Sequence, residues 1–260
     1  MVMDQMLKGQ VAVITGASGG LGAHFAGLLA RAGASVALTA RRLDLVENHA
    51  GVIAGEGGRA MALKLDVADA ASIGPVFDEV ETALGPISIL INNAGVGGEG
   101  LALDLSIDEW DRTFDVNVRG VFFAAQQAAK RMIASGVAER GDGRIVNIAS
   151  IAAHTVLPGL SAYCASKASV AMLTKGLARE WARRGVAVNA ICPGYIETDI
   201  NADWFATEGG QKQMKSFPRR RLMEAGDLDA ALMMLCGPAA RAITGTVITV
   251  DDGQSLPGGG

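Results

Sequence analysis

Concentrated positive charge is missing from this chain of 260 residues: its formal net charge is −4, and no basic run is longer than Arg219-Arg220-Arg221. Nucleic-acid binding needs a dense positive surface, so none is expected. Cysteine is scarce too. Cys164, Cys192 and Cys236 are odd in number, widely spaced, and without a C-x-x-C pair or a neighbouring histidine set, which fits a reducing compartment and no structural metal. Nor is there a continuous apolar span. Residues 9–30 and 145–166 each lack Asp, Glu, Lys and Arg. The first is broken by Gly16, Gly19, Gly20 and Gly22, and the second by Asn147, Ser150, Pro158, Gly159 and Ser161. The apolar run 11–14 is too short for a signal peptide and leads into glycines rather than a cleavage pattern. A cytoplasmic protein is expected, with no membrane association and a small molecule as its partner.

What the chain has is apolar content, half of all residues, enough for one large core. Short β-branched or apolar runs at 11–14, 35–38, 60–63, 87–91, 144–148, 186–190 and 246–250 alternate with helical patterns at 21–32, 42–55, 70–84, 107–134, 162–184 and 228–236. Near-continuous apolarity marks strands buried on both faces. The expectation is an α/β fold with one domain over 1–260: a Rossmann-type, doubly wound parallel sheet of about seven strands flanked by helices. The stretch 196–222 is polar and less periodic, with a candidate helix near 202–214, and is expected to be a lid over a site.

The first strand runs into Thr15-Gly16-Ala17-Ser18-Gly19-Gly20-Leu21-Gly22 and then a helix. Glycines there permit a tight turn, let a pyrophosphate approach amides at a helix N-terminus, and let the helix pack on the sheet. Its place at the first strand–helix junction points to dinucleotide binding by Gly16, Ser18, Gly20, Leu21 and Gly22. The spacing is G-x-x-x-G-x-G. Together with Asn92-Asn93-Ala94-Gly95 after the fourth strand, Ser150 after the fifth, Tyr163-x-x-x-Lys167, and Pro193-Gly194, it resembles the short-chain dehydrogenase/reductase family. The likeness runs from about Leu7 to Gly253, with 3-oxoacyl thioester reductases of fatty-acid synthesis as the suspected nearest kind.

Tyr163 and Lys167 are four apart in an expected helix and so share a face. A nearby ammonium favours a phenolate and should lower the tyrosine's pKa. Ser150 falls at the carboxyl edge of the sheet, where its hydroxyl can bond a substrate oxygen. The resemblance implies that Ser150 orients a carbonyl, Tyr163 transfers the proton, and Lys167 holds the nicotinamide ribose and tunes the tyrosine. It implies that Asn117 supports a water-linked relay to the lysine. It further places Asp66 and Val67 at the adenine, Asn93, Ala94 and Gly95 along the cofactor channel, and Pro193, Gly194, Ile196 and Thr198 around the nicotinamide. Asp66 and Asp69 have a plain alternative as turn and capping residues. The substrate pocket is expected to be lined by Ser150, Ala152, His154, Tyr163, Tyr195 and Trp204. No metal is expected, and Cys164, lacking an activating group, reads as packing.

After the second strand comes Thr39-Ala40-Arg41-Arg42. Ala40 stands where an NAD-binding fold often carries an acid, whereas Arg41, with Ser18 or Arg42, can neutralise a 2′-phosphate; NADP(H) is favoured, with NAD(H) open. Asp44 could pair with one of these arginines. The expected activity is interconversion of a carbonyl and a secondary alcohol, as an NADPH-dependent ketone or 3-oxoacyl reductase. The alternatives are an NAD-dependent alcohol or sugar dehydrogenase and a nucleotide-binding regulatory protein without turnover. Arg219 to Arg221 could meet an acidic carrier or a phosphate, or lie in solvent or between subunits. The resemblance also implies a homo-oligomer, tetramer or dimer, built on the long helices over 108–134 and 162–184.

Overall fold

A computed structural model describes residues 5–98, 100–197 and 202–256. Seven strands, β1 (Val11–Thr15), β2 (Ser35–Ala40), β3 (Arg59–Lys64), β4 (Ile89–Asn92), β5 (Gly143–Ile148), β6 (Val186–Pro193) and β7 (Val247–Val250), form one sheet. It is parallel throughout, in the order β3-β2-β1-β4-β5-β6-β7. Between them run α1 (Gly20–Arg31), α2 (Leu43–Gly55), α3 (Ala70–Leu84), α4 (Ile107–Phe114), α5 (Val121–Ala134), α6 (Ser161–Trp181), α7 (Ala202–Ala206), α8 (Glu208–Ser216) and α9 (Asp229–Cys236).

The apolar runs of β1, β4, β5 and β6 are buried along their whole length because helices cover both faces. One layer packs Phe25 and Leu29 of α1, Val46 of α2 and Leu232 of α9 against the sheet. The other packs Ile73 and Phe77 of α3, Ala124 of α5 and Leu177 of α6. Burying each large side chain contributes roughly 1.5–3 kcal/mol. After β3 the chain crosses to the other side of β1, so the strand order reverses between β1 and β4. The crevice at the carboxyl ends of these strands is the place where such sheets bind ligands.

Two expected helices differ in detail. The pattern over 107–134 is interrupted at Asp115–Gly120 by a π-helical turn, which carries Asn117 into the interior. Gly120 lies against Val67, where a Cβ would come within 2.9 Å of the valine side chain. The candidate helix near 202–214 is two helices, broken at Thr207, whose hydroxyl accepts from the Gly210 amide at 3.1 Å and caps α8. Among the described residues no helix is long and apolar enough to cross a membrane.

Candidate active site

The glycine turn between β1 and α1 is held from below. Thr15 Oγ1 accepts from the Asn93 and Ala94 amides, each at 3.1 Å, and Asn93 Nδ2 donates to the carbonyls of Thr15 and Gly16 at 3.1 and 3.0 Å. Gly16 and Gly20 have φ of +67° and +52°, the left-handed region that glycine enters without strain. At Gly22 a Cβ would press into the Gly16 carbonyl and stand 2.6 Å from Asn93 Nδ2. The open amides at the start of α1 therefore face the crevice with no side chain in the way, a cradle suited to a pyrophosphate. Ser18 accepts from Arg42 Nη2 at 3.0 Å, and Arg41 is exposed and without a partner among the described residues. Neither arginine forms an ion pair with Asp44. Cationic donors with no acid at Ala40 suit a phosphorylated ribose, so the cradle fits a phosphorylated nicotinamide dinucleotide.

Asn92, next to this anchor, belongs to a buried network that the sequence reading did not identify. Its Nδ2 donates to the Val121 carbonyl at 3.2 Å and to Asn147 Oδ1 at 2.9 Å, and Asn147 Nδ2 donates to Thr174 Oγ1 at 2.9 Å. Asn92 and Asn147 are paired in the β4–β5 register, so two polar residues in apolar strand runs were the available signal.

At the carboxyl end of β5, Ser150 Oγ accepts from the Ala152 amide at 3.1 Å, which fixes the hydroxyl beside Tyr163. Ala152 itself is buried and offers only that amide. Tyr163 and Lys167 lie one turn apart on α6. Lys167, 5% exposed, donates to the Ile148 carbonyl at 2.9 Å, with its Nζ over the Tyr163 ring at 5.6 Å from the centroid. The electrostatics depart from the sequence expectation. Burial pushes the Tyr163 hydroxyl above the usual phenol value, and the Ser150 side chain, as a hydrogen-bond partner, pulls the other way. Lys167 beside the ring is itself disfavoured by burial, which brings its pKa down to about 8, so for Tyr163 the effect of burial prevails.

Asn117 is fully buried, and its side chain is engaged: Oδ1 accepts from the Val96 amide at 2.8 Å, and Nδ2 donates to the Val96 carbonyl at 2.9 Å and to Ser166 Oγ at 3.0 Å. No hydrogen bond joins it to Lys167. It anchors the loop after β4, and a Cβ at Gly95 would stand 3.4 Å from Asn117 Oδ1 and 3.5 Å from Lys167 Nζ. That loop therefore passes directly by the lysine.

The remaining expected residues divide. Tyr195 lies at the crevice, its ring stacked on Phe217 at 5.4 Å and edge-on to Phe205 at 5.6 Å; burial raises its pKa, against a hydrogen bond with Gln213. Gln213 also accepts from Trp204 Nε1 at 2.8 Å and so links Tyr195 to Trp204, a role its sequence context did not signal. His154 is exposed; nearby, burial works to raise Asp251, but hydrogen bonds from Ser255 and the Gly253 amide hold its carboxyl below the usual value, with the smallest pull from His154. Ile196 is buried and bridged to Met223, a core position. Gly194 closes β6 against the chain at Asp251, where a Cβ would stand 2.9 Å from the Asp251 Cα, and Pro193 pairs with Val250. Val67 is buried against Gly120. Asp66 accepts from the Ala68 amide at 3.1 Å and Asp69 caps α3, the turn-and-cap alternative. Thr198 lies outside the described residues. Arg219 and Arg221 pair with Asp252 at 3.1 and 2.9 Å, and Arg221 also with Asp227.

Comparison with known proteins gives the same reading from outside the chain. The short chain dehydrogenase family profile matches residues 10–209. D-threitol dehydrogenase of Mycolicibacterium smegmatis is 37% identical over 253 residues, 97% of this chain and 95% of that protein. Gluconate 5-dehydrogenase of Gluconobacter oxydans is 36% identical over 251 residues, 96% of each. Among solved structures, a gluconate 5-dehydrogenase from Burkholderia cenocepacia in complex with NADP and tartrate matches with a TM-score of 0.91 at 34% identity, covering 98% of this chain and 99% of that one. Likeness of this extent makes the chain a member of the short chain dehydrogenase family, an oxidoreductase of alcohols and carbonyls.

Proposed function

We propose that the chain is an NADP(H)-dependent enzyme that interconverts a secondary alcohol and a ketone at Ser150, Tyr163 and Lys167. The single observation that carries this reading is the meeting of a fixed hydroxyl, a half-buried phenol and a buried ammonium at the carboxyl edge beside a glycine cradle. Gly16, Ser18, Gly20, Leu21 and Gly22 would hold the pyrophosphate, Arg41 and Arg42 the 2′-phosphate, and Asn93, Ala94, Gly95 and Lys167 the nicotinamide half. The bound cofactor supplies or takes the hydride at its nicotinamide C4. Ser150, its acceptor side engaged by Ala152, donates its proton to the substrate oxygen. Tyr163, held as the phenol by burial, protonates that oxygen in the reducing direction. Lys167 stays fixed by the Ile148 carbonyl and presents a cation to the neighbourhood of the developing alkoxide. Positioning and preorganised charge supply most of the acceleration.

A small hydroxylated substrate, a polyol or sugar acid, is the better-supported class. The relatives named for threitol and gluconate align over nearly the whole chain, and the arginines that an acidic carrier would meet at 219 and 221 are engaged by Asp252 and Asp227. One observation favours a second class, ketones or 3-oxoacyl groups with a hydrocarbon tail. Leu101, Leu103 and Val156 are 67%, 99% and 85% exposed on two loops joined by the Gly100–Gly159 backbone bond near α6. A homo-oligomer would use the α4, α5 and α6 face, where Phe114, Val118, Phe122, Phe123 and Leu173 line an apolar hollow of about 360 Å³. The test is turnover with NADPH and NADH, and with the oxidised forms, across polyols, sugar acids, simple ketones and 3-oxoacyl thioesters. Turnover of polyols or sugar acids with the phosphorylated cofactor supports the reading; thioester turnover alone moves it to the second class; preference for the unphosphorylated cofactor overturns the arginine assignment.

A further inference from the structure

Arg144 opens β5 at the edge of the sheet opposite Ser150, and only 3% of its surface is exposed. Its Nη1 donates to the Gly143 carbonyl at 3.1 Å, while its Nε is buried with no hydrogen-bond partner among the described residues. Buried charges in native proteins are paired or meet an ion. No carboxylate forms an ion pair with Arg144 among the described residues. Asp142, the acid that acts on it, lies 3.8 Å from Arg140, and Arg241 adds a charge of Arg144's own sign.

A cavity of about 20 Å³ adjoins this guanidinium, walled by Met6, Leu7 and Pro238 and edged by Gln10, Asp142 and Cys236. Burial pushes the Cys236 thiol up to about 12, so it stays a neutral S–H donor and does not serve as the missing anion. The space is large enough for a water molecule or a halide. A water would satisfy Nε but add no negative charge to that of Asp142, which is shared with Arg140. We propose that this cavity is a binding site for a single monoatomic anion, a halide, held by Arg144 with Gln10 and the Cys236 S–H. It lies at the opposite end of β5 from the reacting groups, so its role is in stability, independent of the proposed reaction.

The test compares thermal unfolding of the full chain in sodium chloride and in sodium methanesulfonate at equal ionic strength, for the wild type and Arg144→Met. The wild-type Tm is expected to rise saturably by about 3–5 °C in chloride. The variant should show no chloride-specific rise and should melt above the wild type in methanesulfonate, where the buried charge has no counter-ion. Crystals grown with sodium bromide should show an anomalous peak beside Arg144 Nε. Equal wild-type melting in the two salts, or a cavity filled by density without anomalous signal, overturns the proposal. Should the variant not fold, the wild-type salt comparison and the bromide map still decide it.

Discussion

A single residue, Lys167, carries a stability cost in the candidate site. Its ammonium is disfavoured by burial, with a folded pKa of about 8 against an ordinary 10.5. A lysine whose pKa is depressed on folding destabilises the native state below the folded value, and the effect fades as pH rises from about 8 toward 10.5. Lys167→Met relieves about 3 kcal/mol of this at pH 7 and leaves the Ile148 carbonyl unpartnered, which costs about 1–2 kcal/mol. Denaturant unfolding should find the variant more stable by about 1–2 kcal/mol at pH 7, with the advantage shrinking and then reversing above pH 8, while turnover is lost. Tyr163 makes a second expectation. Its raised pKa keeps the phenol, the form that reduction needs, through the neutral range, whereas alcohol oxidation needs the phenolate. Initial rates followed from pH 6 to 10 should therefore climb with pH for oxidation and hold and then fall for reduction. The identities of Ser150, Tyr163 and Lys167 were legible because their chemistry and spacing are local. The directions of the Tyr163 and Lys167 pKa shifts were not, because they depend on burial by residues distant in sequence.

Elements carry the second kind of information. The glycine turn was legible as a cradle, and its geometry shows that Gly22 is constrained by close approach, with the Gly16 carbonyl and Asn93 amide occupying the space of a Cβ. Gly22→Ala should cost about 1–3 kcal/mol of stability by overpacking and weaken nicotinamide dinucleotide binding at least about tenfold, since the displaced groups belong to the cradle. Calorimetric titration and thermal unfolding check both; unchanged affinity would remove Gly22 from the site. The long helix over 107–134 was legible only as a whole. Apolar periodicity continues through Val116 and Val121, so nothing in the pattern marked the π turn that buries Asn117 and redirects its amide to Val96 and Ser166. The stretch over 202–216 hid its break for a similar reason, since Thr207 is a cap only once Gly210 approaches it.

At the scale of the whole molecule, the seven strands, their helices and the crevice were readable from alternation of apolar runs and from motif order, because a doubly wound sheet admits few other arrangements. The division of labour between the two sheet edges was not readable, since it depends on which buried polar groups find partners. The apolar hollow on α4, α5 and α6 should bury itself between copies of the chain. Phe122→Glu is expected to lower the mass found by light scattering to that of the monomer; an unchanged mass would place the interface elsewhere. The central claim, that Tyr163 moves the proton for an alcohol–carbonyl oxidoreduction, is tested most directly by comparing wild type and Tyr163→Phe with NADPH binding and turnover measured in parallel. The account predicts binding within a few-fold of wild type and turnover lower by about a thousand-fold. Turnover retained in Tyr163→Phe at wild-type level would contradict it.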